Sequence, residues 1–114
     1  MIIGTVRMAI PHQKRGEAIR ILKSVTAQNR VHPGCHSCHI YEDAQEDCVL
    51  MFEETWRSEE DLEHHLRSDE YCKVLIVMEM ARKRPEIRFD TISVSTGIET
   101  AEKARSSPRR SGKP

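Results

Sequence analysis

The chain is expected to fold as an α+β domain of ferredoxin-like design: a four-stranded, mostly antiparallel sheet with its helices on one face. Three observations point there. Four stretches alternate apolar and polar residues with a period of two. Two stretches carry apolar residues at helical spacing. Their order is strand, helix, strand, strand, helix, strand, the split β-α-β arrangement. At 114 residues the chain is one domain's worth of sequence.

Residues 2–10 read as the first strand, with Ile2, Val6, Met8 and Ile10 on one face and Thr5 and Arg7 on the other. Pro11 ends it, because proline cannot donate to a ladder. A helix follows over 14–30, its apolar stripe made by Ala18, Ile21, Leu22 and Val25. Pro33-Gly34 is a stop and turn signal. Residues 35–42 form the second strand, placing Cys35, Ser37, His39 and Tyr41 opposite His36, Cys38 and Ile40. The acidic run 42–47 is a hairpin loop. Residues 48–56 are the strongest strand, with Glu53 and Thr55 on one face and Glu54 and Trp56 on the other.

Ser58-Glu59-Glu60-Asp61 is a capping-box variant that opens a helix to about Leu66. Its acids also suit the positive helix end. Ser68-Asp69-Glu70 caps a second helical segment, striped by Tyr71, Val74, Leu75 and Met78, to about Arg82. Pro85 breaks it. Residues 86–95 form the last strand, with Ile87 and Phe89 against Arg88 and Asp90. The domain is thus residues 1–96. Residues 97–114, Ser/Pro/Gly-rich and basic with no apolar residue after Ala104, are expected to be a disordered tail.

The 18 basic and 18 acidic residues cancel, but unevenly. Residues 101–114 hold five basic and one acidic residue, +4. The first 100 hold 13 basic and 17 acidic, −4. An acidic body is a poor nucleic-acid binder. Mean hydropathy is −0.59, and no apolar run approaches the roughly 20 residues of a membrane span. The apolar N-terminal stretch has no basic lead, so a cytoplasmic protein with reduced thiols is expected. No glycine-rich phosphate loop and no Ser-His-Asp order occur, which argues against nucleotide-dependent chemistry.

Cys35-His36-Ser37-Cys38-His39 has the spacing of a haem-attachment motif and, with His32, of a zinc site. Strand alternation sends Cys35 and Cys38 to opposite faces, so neither is expected. No metal or other cofactor is assigned, and Cys38 reads as a small apolar core residue.

With both helices on one face, Thr5, Arg7, Ser37, His39, Tyr41, Glu53, Arg88 and Asp90 share the uncovered face. They are too polar for a core. Two such sheets face to face would enclose a small cavity lined by these groups. There His39 or Glu53 could act as a base, Glu53 and Arg88 could pair across the face, and Arg7 or Arg88 could hold an oxyanion. Trp56 could stack on a planar substrate.

Three segments, PGCHSCHIYED, VLMFEETWRSEEDLEHHLRSDEY and PEIRFDTIS, resemble the antibiotic biosynthesis monooxygenase family in order and spacing, over about residues 2–95. The resemblance implies a homodimeric α/β barrel, and among its chemistries a cofactor-independent oxygenase. Such an enzyme would oxidise a small phenolic or quinol substrate with dioxygen. It places Trp56 at the family's strand-end aromatic, His65 at the His of its His-Leu pair and Glu54 at the acid of its E-x-W element. The expected catalytic residues are His39, Glu53 and Arg88. The expected substrate contacts are Trp56, His65, Arg7 and Tyr41. A small-molecule-binding dimer without catalysis is the alternative. A haem-degrading relative is the weaker one, since IIGTVRMAI lacks the Asn such relatives carry on their first strand.

Overall fold

A computed structural model describes residues 1–106. In chain order they form β1 (Ile2–Ala9), a 3₁₀ turn (His12–Lys14), α1 (Arg15–Arg30), β2 (Cys35–Glu42), β3 (Val49–Trp56), α2 (Glu59–Leu66), α3 (Asp69–Glu79), β4 (Glu86–Thr91) and α4 (Ile98–Ser106). The sheet order is β2-β3-β1-β4, with every neighbouring pair antiparallel. This is the ferredoxin-like sheet expected from the element order.

Register explains which residues are covered. Val6 pairs with Phe52 and Ile87, and Phe52 with Ile40, so these four share a face. Val6, Met8, Leu50 and Phe52 are buried there beneath Ala18, Leu22 and Val25 of α1 and Tyr71, Val74 and Val77 of α3. Burying twelve such residues is the main favourable term for the fold. A smaller cluster of Ile2, Trp56 and Leu62 lies beneath α2.

Three local expectations are corrected. The first concerns Cys35. It pairs with Trp56, whereas Ser37 pairs with Thr55, so His36 is an extra residue in the ladder. A bulge of this kind inverts the alternation on one side of it. Cys35 and Cys38 therefore both face the helices, and Cys35 packs against both core clusters. The second concerns β4, which stops at Thr91 rather than 95, and α3, which stops at Glu79 rather than 82. The third concerns the tail. Residues 98–106 form a helix, α4, that buries no residue. Residues 107–114 lie outside the described residues.

The hairpin between β2 and β3 contains the one non-glycine residue with positive φ among the described residues, Cys48 at 64°. Its carbonyl accepts from Ile10 N at 2.7 Å, which ties the turn to the end of β1.

Candidate functional site

On the helix-facing side, β3 presents Phe52, Glu54 and Trp56 in succession. Glu54 is a carboxylate on an otherwise apolar row, 3% exposed. Burying a charge there is costly unless it is hydrogen-bonded, and the neighbouring elements supply donors. Asn29, in the last turn of α1, donates from Nδ2 to Glu54 Oε2 at 2.9 Å. His65, in the last turn of α2, places Nε2 2.7 Å from the same oxygen. The Trp56 indole N–H donates to Oε1 at 3.4 Å. The amide and the indole can only donate, so Glu54 accepts at both of its oxygens. Where His65 donates to it from Nε2 as well, the imidazole lone pair is on Nδ1.

Aromatic rings surround this pair. Trp56 stacks on His65 with centroids 4.6 Å apart and planes at 27°. Tyr71 meets His65 edge-on at 5.4 Å, and His32 meets Trp56 edge-on at 5.2 Å. Burial, then the Glu54 charge, pushes the Tyr71 phenol up to about 12, so it stays a hydrogen-bond donor. Burial also pushes Cys35 up to about 11 and raises Cys38, leaving both as thiols rather than nucleophiles. Cys38 Sγ lies 3.5 Å from Asn29 Nδ2 and donates to Thr26 Oγ1 at 3.7 Å.

Local sequence holds α2 in place. Ser58 Oγ accepts from Asp61 N at 3.1 Å, the expected cap, and donates to Asp61 Oδ2 at 3.0 Å. Arg57 pairs with the same carboxylate oxygen at 3.0 Å. Gly34 lets the β2 turn approach this carboxylate: a Cβ there would lie 2.5 Å from Asp61 Cγ. At the other end of α2, Ser68 Oγ donates to the His65 carbonyl at 2.6 Å and accepts from Tyr71 N at 3.3 Å. One serine thus positions the two residues that flank the acid from α2 and α3.

The other face carries the remaining expected residues. Arg88, Thr5, Glu53 and His39 lie in one row across the four strands. β1 separates β3 from β4, so Glu53 and Arg88 stand two strands apart, about 10 Å. The expected ion pair between them is therefore absent; Arg88 pairs with Asp90 at 3.2 Å. Arg7 is engaged by Glu46 at 2.7 Å and Asp43 at 3.1 Å, which raise its pKa in that order. His39 Nδ1 accepts from Arg30 Nη2 at 3.3 Å, and Tyr41 is exposed beside it. At the end of this face, Arg7, Ala9, Val49 and Glu86 floor an open depression of about 400 Å³, walled by residues 46–47 and 82–84.

The expected residues therefore divide. Trp56 and His65 meet under the helices, while His39, Glu53, Arg88, Arg7 and Tyr41 lie on the open side. Asn29 and Tyr71 join the cluster and are not among the expected site residues. The signal for Asn29 was present: it continues the buried stripe Ala18, Leu22, Val25 by four residues, and a polar residue on a buried stripe calls for a buried partner. Among the described residues no cluster of three or more His, Cys, Asp or Glu could hold a metal ion. No described helix is long and apolar enough to cross a membrane.

Comparison with known proteins agrees with the fold. A conserved protein from Methanosarcina mazei superposes with a TM-score of 0.73 at 23% identity, covering 78% of this chain and 89% of that one. A conserved protein of unknown function from Bacteroides thetaiotaomicron, described as a possible oxidoreductase, gives 0.67 at 26%, covering 78% and 92%. An antibiotic biosynthesis monooxygenase gives 0.73 at 14%, covering 82% and 100%. An uncharacterised protein of Synechocystis is 29% identical over 68 residues, and the match spans 60% of this chain but only 45% of that protein's length. The family model for antibiotic biosynthesis monooxygenases matches residues 1–74, which contain Asn29, Glu54, Trp56, His65 and Tyr71, and the chain belongs to that family.

Proposed function

We propose that the chain is a monooxygenase that oxidises a small phenolic or quinol substrate with dioxygen, and that the buried Glu54–His65 pair is its base. The observation that carries this reading is the 2.7 Å contact between His65 Nε2 and Glu54 Oε2, fixed by Asn29 and stacked on Trp56. A carboxylate behind an imidazole orients the ring and stabilises the imidazolium formed when the ring takes a proton. His65 Nδ1 would take the phenolic proton. The phenolate would give one electron to dioxygen, and the radical pair would recombine at carbon. Loss of water then leaves the hydroxylated quinone. Quinol plus dioxygen gives hydroxyquinone plus water, with no external reductant. Tyr71 would donate to the developing oxyanion.

His65 and Trp56 are at most 4% exposed, so a substrate reaches them only when side chains packed over them move aside while α2 keeps His65 against Glu54. A second protomer across the open face would enclose His39, Glu53, Arg88, Arg7 and Tyr41. A second reading, a binding protein without turnover, is favoured by that full burial, because a saturated polar cluster also serves as structure. The test is oxygen uptake with a panel of quinols and anthrones. Uptake that falls at least 100-fold in the folded fraction of His65→Phe supports the base. No uptake by the unaltered protein removes the oxygenase reading and leaves the binding one.

A further inference from the structure

The β2 edge of the sheet carries positive charge that nothing else in the fold uses. Lys23, Thr26, Ala27 and Arg30 form one stripe of α1, at i, i+3, i+4 and i+7. With His39 and Ile40 of β2 they line an open hollow of about 350 Å³. Among the described residues no acid lines it, whereas the depression at the end of the open face has Glu46, Asp47 and Glu86 around it. Lys23 and Arg30 also enter none of the ion pairs among the described residues.

The donors left over follow from the local bonding. Arg30 Nη2 gives both its hydrogens away, to the Cys38 carbonyl at 3.0 Å and to His39 Nδ1 at 3.3 Å, which leaves the Nε and Nη1 hydrogens of the guanidinium. A guanidinium only donates, so His39 accepts at Nδ1, and its neutral imidazole carries the proton on Nε2. β2 is an edge strand. Asp43 N donates to Val49 O of β3, so odd-numbered residues at this end of β2 turn their backbone groups to β3. Cys38, whose carbonyl meets Arg30, turns its own outward. Alternation sends the Ile40 N–H outward as well, with no strand to receive it. Thr26 adds nothing, because its hydroxyl donates to the Leu22 carbonyl and accepts from Cys38.

We propose that this hollow binds the phosphate group of a small aryl phosphate monoester. Lys23 and Arg30 neutralise the dianion, and His39 Nε2 and the Ile40 amide donate to its oxygens. Charge-assisted bonds from guanidinium and ammonium groups are the strong ones to phosphate. A second hollow of about 510 Å³ shares Lys23 and Ile40 with the first and is lined by Ile19 and Tyr41 as well. Glu42, also on its wall, is held by Arg15. Ile19, Ile40 and Tyr41 there give the aryl group a seat that inorganic phosphate leaves empty. The site lies at the β2 edge and does not depend on the oxygenase reading.

The experiment is a proton–nitrogen NMR titration of the full chain at about pH 7.5 with inorganic phosphate and with phenyl phosphate, folding being checked by Trp56 fluorescence. The Ile40 amide, the Arg30 Nε–H and the His39 ring should shift with both ligands. Phenyl phosphate should bind at least threefold more tightly, and its dissociation constant should rise with salt. Lys23→Ala and Arg30→Ala should each weaken its binding at least tenfold while leaving Trp56 buried. Lys83→Ala, which removes a cation from the loop before β4, should leave binding within twofold. The absence of shifts at Ile40, Arg30 and His39 up to about 50 mM of either ligand overturns the proposal. So does binding that Lys23→Ala leaves intact, or that Lys83→Ala weakens as much, which would make it a response to overall charge. Equal affinity for the two ligands overturns the monoester assignment.

Discussion

His65→Phe probes the buried pair with little change of shape. Phenylalanine keeps a ring between Trp56 and Tyr71, where the imidazole now stacks at 4.6 Å and meets the phenol at 5.4 Å. What it removes is the 2.7 Å contact to Glu54. The carboxylate is then left buried with only Asn29 and the longer indole contact. Removing one partner of a buried pair costs about 3–5 kcal/mol, because the remaining charge is uncompensated. For a domain of this size that is a fall in Tm of roughly 12–20 °C. Pairing the change with Glu54→Gln tests the cause. The neutral amide still accepts from Asn29, so the double variant should recover about 1–3 kcal/mol relative to His65→Phe alone. Urea unfolding is the assay, read from Trp56, the chain's only tryptophan and fully buried. A loss below 1 kcal/mol for His65→Phe, or a double variant no more stable than the single, would refute the argument that a charged acid depends on this histidine.

Three further outcomes follow from local geometry. Cys48→Gly should raise stability by about 1 kcal/mol in the same unfolding assay, because φ of 64° strains any residue with a Cβ. Gly34→Ala should lower it by about 1–3 kcal/mol, since the new methyl would meet an Asp61 carboxylate already held by Arg57 and Ser58. On the alkaline side, stability should fall from about pH 9 upward. Cys35 and Tyr71 have folded pKa values raised to about 11 and about 12, so each favours the folded state while protonated. The unfolded thiol and phenol ionise first, near 9 and 10, and the loss continues until pH passes the folded values. Thermal melts at pH 8 to 11 would read this, and a rise in stability over that range would contradict it.

The fold was legible because its strands and helices keep their periods. Ile2, Val6 and Met8 alternate inward as read, and Leu22 and Val25 lie on the buried stripe of α1. Less was legible where geometry departs from a period or depends on pairing. A bulge at His36 has no local marker, yet it turned Cys35 to the helix side. Glu53 and Arg88 do share a face, but only the sheet order shows that β1 stands between them. Glu54, Trp56 and His65 could be marked by resemblance, and their meeting could not, because it needs α2 folded back over the end of β3. Helix α4 escaped the composition argument because Ile98–Ser106 includes good helix formers such as Ala101, Glu102, Lys103 and Ala104.

Glu53 and Glu54 are neighbours in sequence and point to opposite sides of one sheet, so the backbone layer separates them. A substrate ring held against Trp56 and His65 cannot also touch His39 or Glu53. Only one face can contain the reacting atoms, and the other can contribute through binding or assembly alone. Two groups acting on separate faces should be energetically independent. In oxygen-uptake assays, His65→Phe should abolish the chemical step, whereas Glu53→Gln should leave kcat within a few-fold and change at most KM. The two effects should multiply in the double variant. If Glu53→Gln instead abolishes kcat while His65→Phe spares it in the fraction that remains folded, the reacting atoms sit on the open face, and the buried acid–histidine pair belongs to the architecture rather than the chemistry.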